Sequence, residues 1–238
     1  MKSILILLIL SVPLTCTTQT LTARELLDKA INYHDPSANW KTFNHKLTVI
    51  MTSPKESKRT SQIYINLPAD YFSVEASKDS VVTTYTLDKG KCEMKYNNKV
   101  VDSIIAQEKK MNCERATLYK NYYSYLYGLP MKLNDYGTNL NEKVEKRSFK
   151  GKDYLVLKVT YDHSVGNDVW YFYFNPKTYA MEIYQFFKTD ENGEEKPDTG
   201  EYILLSEEAI LNSIKMPKVR AWYYNKDKTY LGTDTLEE

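Results

Sequence analysis

Side chains suited to acid–base or metal chemistry are few. The chain has only three histidines. His34 is followed by Asp35 and His163 follows Asp162, so these four residues could converge into a metal or proton-transfer site. Adjacent residues on a strand point to opposite faces, however, and neither pair has further ligands at a metal-binding spacing. The plainer reading is one helix-end histidine and one loop histidine. His45 lies in a strand-like run without an evident partner. Asp190, Asn192 and Glu194 surround Gly193 with the composition of a calcium loop, but the order D-x-[DN]-x-[DN]-G is missing and a solvated turn explains them without a metal. HExxH, CxxC, the Walker loop and GxSxG are all absent, which removes the usual anchors of zincin, thioredoxin, P-loop and α/β-hydrolase chemistry. No catalytic residue, metal or cofactor is therefore expected. A hydrolase or metal-dependent enzyme built on His34, Asp35, Asp162 and His163 ranks last among the readings.

The stronger signal is aromatic. The chain carries 21 tyrosines, against 8 glycines and 8 prolines in 238 residues. Val169–Phe187 reads as a hairpin around Asn175-Pro176-Lys177-Thr178. Trp170, Phe172 and Phe174 alternate with Tyr171 and Tyr173; on the return run Tyr179, Met181, Ile183 and Phe187 share one side. Neither face is polar, so both need cover. Glu114–Tyr127 reads as a helix stopped by Gly128 and Pro130. Ala116, Tyr119, Tyr123, Leu126 and Tyr127 occupy one sector, with Leu118, Tyr122 and Tyr125 beside it, a stripe broader than a surface helix needs. Tyr119, Tyr122, Tyr123 and Tyr127 could face Trp170, Phe172 and Tyr173 across a pocket whose hydroxyls orient an amphiphile. The plainer reading is that they fill the core between helix and sheet, as aromatic stripes usually do.

The elements that must hold these residues are mostly strands. Leu21–His34 is a first helix, with Thr22 and Glu25 at capping-box spacing and His34-Asp35-Pro36 as its stop. Candidate strands then run over Phe43–Met51, Arg59–Asn66, Tyr71–Glu75, Val81–Leu87, Lys91–Tyr96, Val144–Phe149 and Asp153–Tyr161. After the hairpin come Tyr202–Leu205, Ala209–Ile214 and Val219–Tyr224, with an acidic, turn-rich loop at Thr189–Gly200. The expected fold is β-rich α+β: an antiparallel open half-barrel of about 10–11 strands, with the N-terminal helix and the Tyr-rich helix on its concave face. No composition shift marks a linker, so residues 20–238 are expected to be a single domain.

Residues 1–19 have the form of a secretory signal: Lys2, an apolar core over Ile4–Leu14 too short to span a bilayer, and small polar residues after it. The expected location is periplasmic or extracellular. Lipid attachment at Cys16 is the runner-up, since apolar residues precede that cysteine, although Pro13 and Thr15 fit such a motif poorly. The chain has 32 Lys and Arg and 31 Asp and Glu; loss of Lys2 balances them, and no basic footprint invites nucleic acid. Cys92 and Cys113 then remain, and an oxidising compartment favours a disulfide between them, stabilising by roughly 3 kcal/mol.

Several segments carry a family resemblance. Ile214-Lys215-Met216-Pro217-Lys218 resembles the I-K-x-P segment of periplasmic lipoprotein-sorting-like proteins, and the capped helix, meander and second helix resemble the LolA/LolB half-barrel. Tyr33-His34-Asp35-Pro36, Cys113-Glu114-Arg115-Ala116, Tyr127-Gly128-Leu129-Pro130-Met131-Lys132, Trp170–Phe174 and Ala221-Trp222-Tyr223-Tyr224 resemble an uncharacterised secreted family of Gram-negative bacteria. The LolA-like architecture implies a cavity that accepts acyl chains. The leading expectation is thus a non-catalytic binder of a hydrophobic or lipid-like ligand. An envelope module with a packed core, docking a protein partner through an outer aromatic surface, is the second.

Overall fold

The computed structural model describes residues 21–237. The leader-like stretch 1–19 and Cys16 lie outside the described residues. Helix α1 (Ala23–His34) begins as its spacing predicts: the Thr22 hydroxyl accepts the Glu25 N–H at 3.2 Å, and the Glu25 carboxylate accepts the Thr22 N–H at 2.9 Å. Leu26, Leu27 and Ala30 bury its apolar stripe.

A first meander follows, made of β1 (Asn44–Thr52), β2 (Arg59–Asn66), β3 (Tyr71–Lys78), β4 (Val81–Asp88), β5 (Lys91–Tyr96) and the short β6 (Lys99–Val100). Helices α2 (Ser103–Glu108) and α3 (Cys113–Gly128) interrupt it. The second half holds β7 (Thr138–Leu140), β8 (Glu145–Phe149), β9 (Lys152–Tyr161), β10 (Val169–Phe174), β11 (Met181–Phe187), β12 (Glu201–Leu211), β13 (Ile214–Tyr224) and β14 (Tyr230–Glu237). All pairings are antiparallel and form one 14-stranded sheet in the order β6-β5-β4-β3-β2-β1-β14-β13-β12-β11-β10-β9-β7, with β8 also on β9. Its ends do not meet, so it is an open half-barrel. One inner face carries α1, α3 and the main core; Leu47, Ile63, Phe72, Phe172, Tyr184 and Leu236 are all buried there.

The sheet has 14 strands where about 10–11 were expected. The short β6 and β7 escaped notice, and so did β14, whose inward positions include Gly232 and Asp234 and so break the apolar alternation that marks a strand. The expected strands Tyr202–Leu205 and Ala209–Ile214 are corrected: one continuous β12 covers Glu201–Leu211 and turns at Asn212-Ser213 into β13. Both turn residues have positive φ, 50° and 61°, the geometry of a two-residue hairpin loop. The central hairpin is also corrected. Tyr173 pairs with Ile183 but Phe174 pairs with Met181, so a bulge at Glu182 moves Met181 to the face opposite Ile183. Helix α2 was missed because it buries none of its residues; the Asp102 side chain, accepting from Ile104 and Ile105 N–H, caps it.

The second face of the hairpin is covered by protein. Tyr154, Val156, Tyr171, Tyr173 and Ile183 pack there with Phe149 of β8. The Arg147 guanidinium lies 4.0 Å from the Tyr171 ring centre. The acidic loop folds onto this face through Glu195, which accepts from the Tyr171 hydroxyl at 2.5 Å and pairs with Lys158 at 2.7 Å.

The end of α3 rests on a close approach. A Cβ at Gly128 would stand 2.4 Å from Trp40 Cζ2. Alanine there would gain up to about 1 kcal/mol of helix propensity but meet a buried ring, and overpacking costs about 1–3 kcal/mol. Gly128→Ala is therefore expected to lower the urea midpoint. A higher midpoint would show that Trp40 yields freely.

Candidate binding cavity beneath helix α3

Helix α3 is fixed at its start by Asn112, whose side chain accepts the Arg115 N–H at 2.8 Å, and by a disulfide between Cys113 and Cys92 of β5. The pairing expected from the compartment is thus the one formed. Ala116, Tyr123, Leu126 and Tyr127 are buried against the sheet. Leu118, expected beside that sector as part of the broad apolar stripe, is instead 64% exposed.

The aromatic residues named from the sequence divide three ways. Tyr119, Tyr123 and Tyr127 form a packed ladder: Tyr119 meets Tyr85 with ring centres 5.4 Å apart, Tyr123 stacks on Phe72 at 6.5 Å, and Tyr127 covers Arg220 at 4.1 Å. Phe172 is buried in the same core, its ring stacked against Trp170. Tyr173 lies on the opposite face of the sheet, edge-on to Tyr154, with its hydroxyl donating to Gln185 Oε1 at 2.7 Å; strand alternation separates it from Phe172. Tyr122 and Trp170 line an open cavity of about 460 Å³, within the range of about 300–1,000 Å³ that holds small ligands. Tyr122 is 40% exposed because it borders this space.

The rest of the lining was not picked out from the sequence. Tyr125, Leu126, Phe186, Trp222 and Leu231 make most of the wall apolar. Trp170 stacks on Phe186 with centres 4.8 Å apart and meets Tyr125 edge-on at 5.6 Å. Tyr125 also bonds through its hydroxyl to that of Tyr161. Asp168 and Glu201 border the cavity on the β10–β12 side; burial raises the pKa of both, opposed by Lys188.

Arg59 and Asp234 border it on the other side. Backbone register places four strands in one row: Arg59 of β2 opposite Met51 of β1, Met51 opposite Asp234 of β14, and Asp234 opposite Arg220 of β13. Arg220 is 1% exposed. Its Nη1 donates to the Pro217 carbonyl at 3.0 Å, whereas its Nε and Nη2, the Arg59 Nε and the Tyr184 hydroxyl have no partner among the described residues. Burial raises the Asp234 pKa, opposed by Arg220 and Arg59. The Tyr122 and Tyr184 hydroxyls are pushed up as well, first by burial; the Asp234 charge adds to both, while Arg220 opposes it at Tyr184. The result is an apolar chamber bordered by two carboxylates on one side and by Arg59 and Asp234 on the other.

The histidine–aspartate pairs do not form a site. His34 Nε2 accepts the Met181 N–H at 3.0 Å, so the proton sits on Nδ1, which donates to the Lys215 carbonyl at 2.7 Å. Asp35 accepts the N–H groups of Asn39 and Trp40, both at 2.8 Å. Asp162 accepts from Asn139 Nδ2, and His163 bonds to Asn167 in an exposed turn. Asp190 closes its own turn by accepting the Asn192 and Glu194 N–H groups. Among the described residues no three His, Cys, Asp or Glu side chains gather in a metal-ligating group, and no helix is long and apolar enough to cross a membrane.

The model of a family of unknown function, DUF6503, matches residues 2–238. No curated protein matches the chain in sequence. Among solved structures, a LolA superfamily protein from Nitrosomonas europaea is similar, with 10% identity and a TM-score of 0.53 over 92% of this chain and 93% of that one. A DUF1329 family protein from Desulfovibrio piger is similar at 9% identity and a TM-score of 0.52, covering 91% of each chain. These likenesses establish a shared LolA-type architecture.

His34 makes the fold sensitive to acid. Burial depresses its pKa; the Lys215 carbonyl and Glu208 oppose this only in part. Protonating Nε2 would also turn the acceptor of the Met181 bond into a donor. Above the ordinary histidine pKa of about 6.5 the ring is neutral in both folded and unfolded chains, and stability is whole. As pH falls below about 6.5, the unfolded chain takes up a proton that the folded chain resists, and stability drops. Urea midpoints followed from about pH 7 to 5 should fall more steeply for the native protein than for His34→Gln. Parallel curves would mean that His34 titrates as it does in water.

Proposed function

The chain belongs to the DUF6503 family, whose function is unknown, and from that premise we propose that it is an exported, non-catalytic protein that binds a hydrophobic or amphiphilic ligand, lipid or acyl chain, between α3 and the curved sheet. The observation that carries this reading is the cavity of about 460 Å³ walled by Trp170, Phe186, Trp222, Tyr125 and Leu126. The space opens to solvent, and Tyr125, Trp170, Phe186 and Trp222 are left half-buried along it, apolar surface that a bound chain would cover. The leader-like residues 1–19 support export, and the LolA-type fold fits a chamber of this kind by analogy.

Tryptophan fluorescence reports directly on this proposal, because two of the three tryptophans, Trp170 and Trp222, line the cavity. Titration with dodecanol is expected to change the emission saturably. Tyr122→Ala, at a half-open position, should weaken binding about tenfold and shift stability by less than about 1 kcal/mol. Tyr123→Ala, in the packed ladder, should instead lose about 3 kcal/mol or more of stability. Organic extraction of protein purified from its native envelope should release an acyl-chain species in stoichiometric amount. No response to dodecanol together with an empty extract would refute the proposal.

A further inference from the structure

We infer that the cavity selects an amphiphile with a carboxylate head, seated at the Arg59 side of the chamber; this rests on the binding reading above and specifies its ligand. The argument starts from Arg220. A guanidinium 1% exposed, with two N–H-bearing atoms unpartnered, is a costly thing to bury. It stands directly across from Asp234, and the face of Tyr127 covers it at 4.1 Å. Asp234 therefore lies in the field of two cations, Arg220 on one side and Arg59 two strands away on the other. One carboxylate cannot balance both. No ion pair within 4 Å joins Asp234 to either among the described residues, and the nearby Glu56 is taken by Lys78 at 2.8 Å. This group keeps an excess positive charge, and Arg59 is the member of it that borders the cavity.

A carboxylate head answers this arrangement in charge and shape. It supplies one negative charge, and its two oxygens accept the parallel N–H groups of a guanidinium. A doubly charged phosphate monoester would overshoot the balance beside Asp234. An ammonium head would add to the excess and leave the arginine N–H groups unmet. The opposite side of the chamber has the reverse preference: Asp168 and Glu201 stand there with Lys188 close to both. The register places them toward β10 and β12, strands away from Arg59 across β13, β14 and β1. The head is thus directed to the Arg59 side, and the tail lies along Trp222, Phe186 and Trp170.

Dodecanoate, dodecanol and dodecylamine share one chain length and differ in head charge, so their affinities, read by tryptophan fluorescence, isolate the head. Dodecanoate is expected to bind about tenfold more tightly than dodecanol, with dodecylamine weakest. Arg59→Gln should bring dodecanoate down to the level of dodecanol, and Arg59→Lys should restore part of the difference. Because Arg59 begins an outer reach of β2 and is only half-buried, both variants can be checked for folding by their urea midpoints. Equal binding of all three ligands, or tightest binding of dodecylamine, would overturn the carboxylate assignment while leaving the cavity's role intact. Failure of all three to bind would remove both.

Discussion

The pairing of β1 with β14 is the constraint on which the rest of the molecule depends. Each half of the chain makes its own meander of neighbouring strands, and local hairpins suffice for that. Only the register Thr48 to Glu237 through Thr52 to Thr233 joins the halves into one sheet. Without that seam there would be two smaller sheets, each with an unpaired inner edge open to aggregation. The seam also brings Arg59, Met51, Asp234 and Arg220 into one row. This charged side of the cavity is therefore a product of the longest-range pairing in the fold. It forms when the two halves meet.

The abundance of tyrosine follows from the same geometry. A wide open sheet needs cover on both faces near its centre, and a short chain has few elements to supply it. Tyrosine fills volume like phenylalanine but can end at water or at a hydrogen-bond partner. On the outer face, Tyr171 and Tyr173 pack their rings beneath β8 and direct their hydroxyls to Glu195 and Gln185. On the inner face, Tyr119, Tyr123 and Tyr127 form the ladder that seats α3. One residue type thus serves as core, as polar surface and as cavity wall, which is why the aromatic pattern alone did not separate those roles.

What could be read from the sequence was the scaffold. The capping box at Thr22 and Glu25, the stop at Gly128 and Pro130, and most strand positions follow from local chemistry and alternation. Two of the segments that carried the family resemblance touch each other: His34 donates to the Lys215 carbonyl, and Lys215 lies over the Tyr33 ring at 4.3 Å. They are corners of the frame. The cavity was harder to read because its residues violate the patterns that reveal elements. Gly232 and Asp234 occupy inward positions of β14 where a strand signal needs apolar side chains, so the strand went unseen along with its carboxylate. Arg59 only opened a candidate strand, and Arg220 lay unremarked inside the candidate strand Val219–Tyr224. Only register, which depends on partners far away in sequence, reveals that they share a row.

Local rules fail where something other than stability is being served. A buried guanidinium is a sharp instance. Replacing buried ion pairs with well-packed apolar groups is often neutral or stabilising, so a sheet selected for packing alone would place Leu or Met at position 220, under the ring of Tyr127. Arg220 instead keeps two nitrogens unpartnered in the interior, opposite a carboxylate whose own pKa is raised by burial. The same row lacks apolar side chains at Arg59 and Asp234, and it ends at the wall of the chamber. Unmet charge and empty volume are each destabilising alone. Their coincidence at one place in the half-barrel is what the proposed ligand, with an apolar chain and a charged end, would account for together.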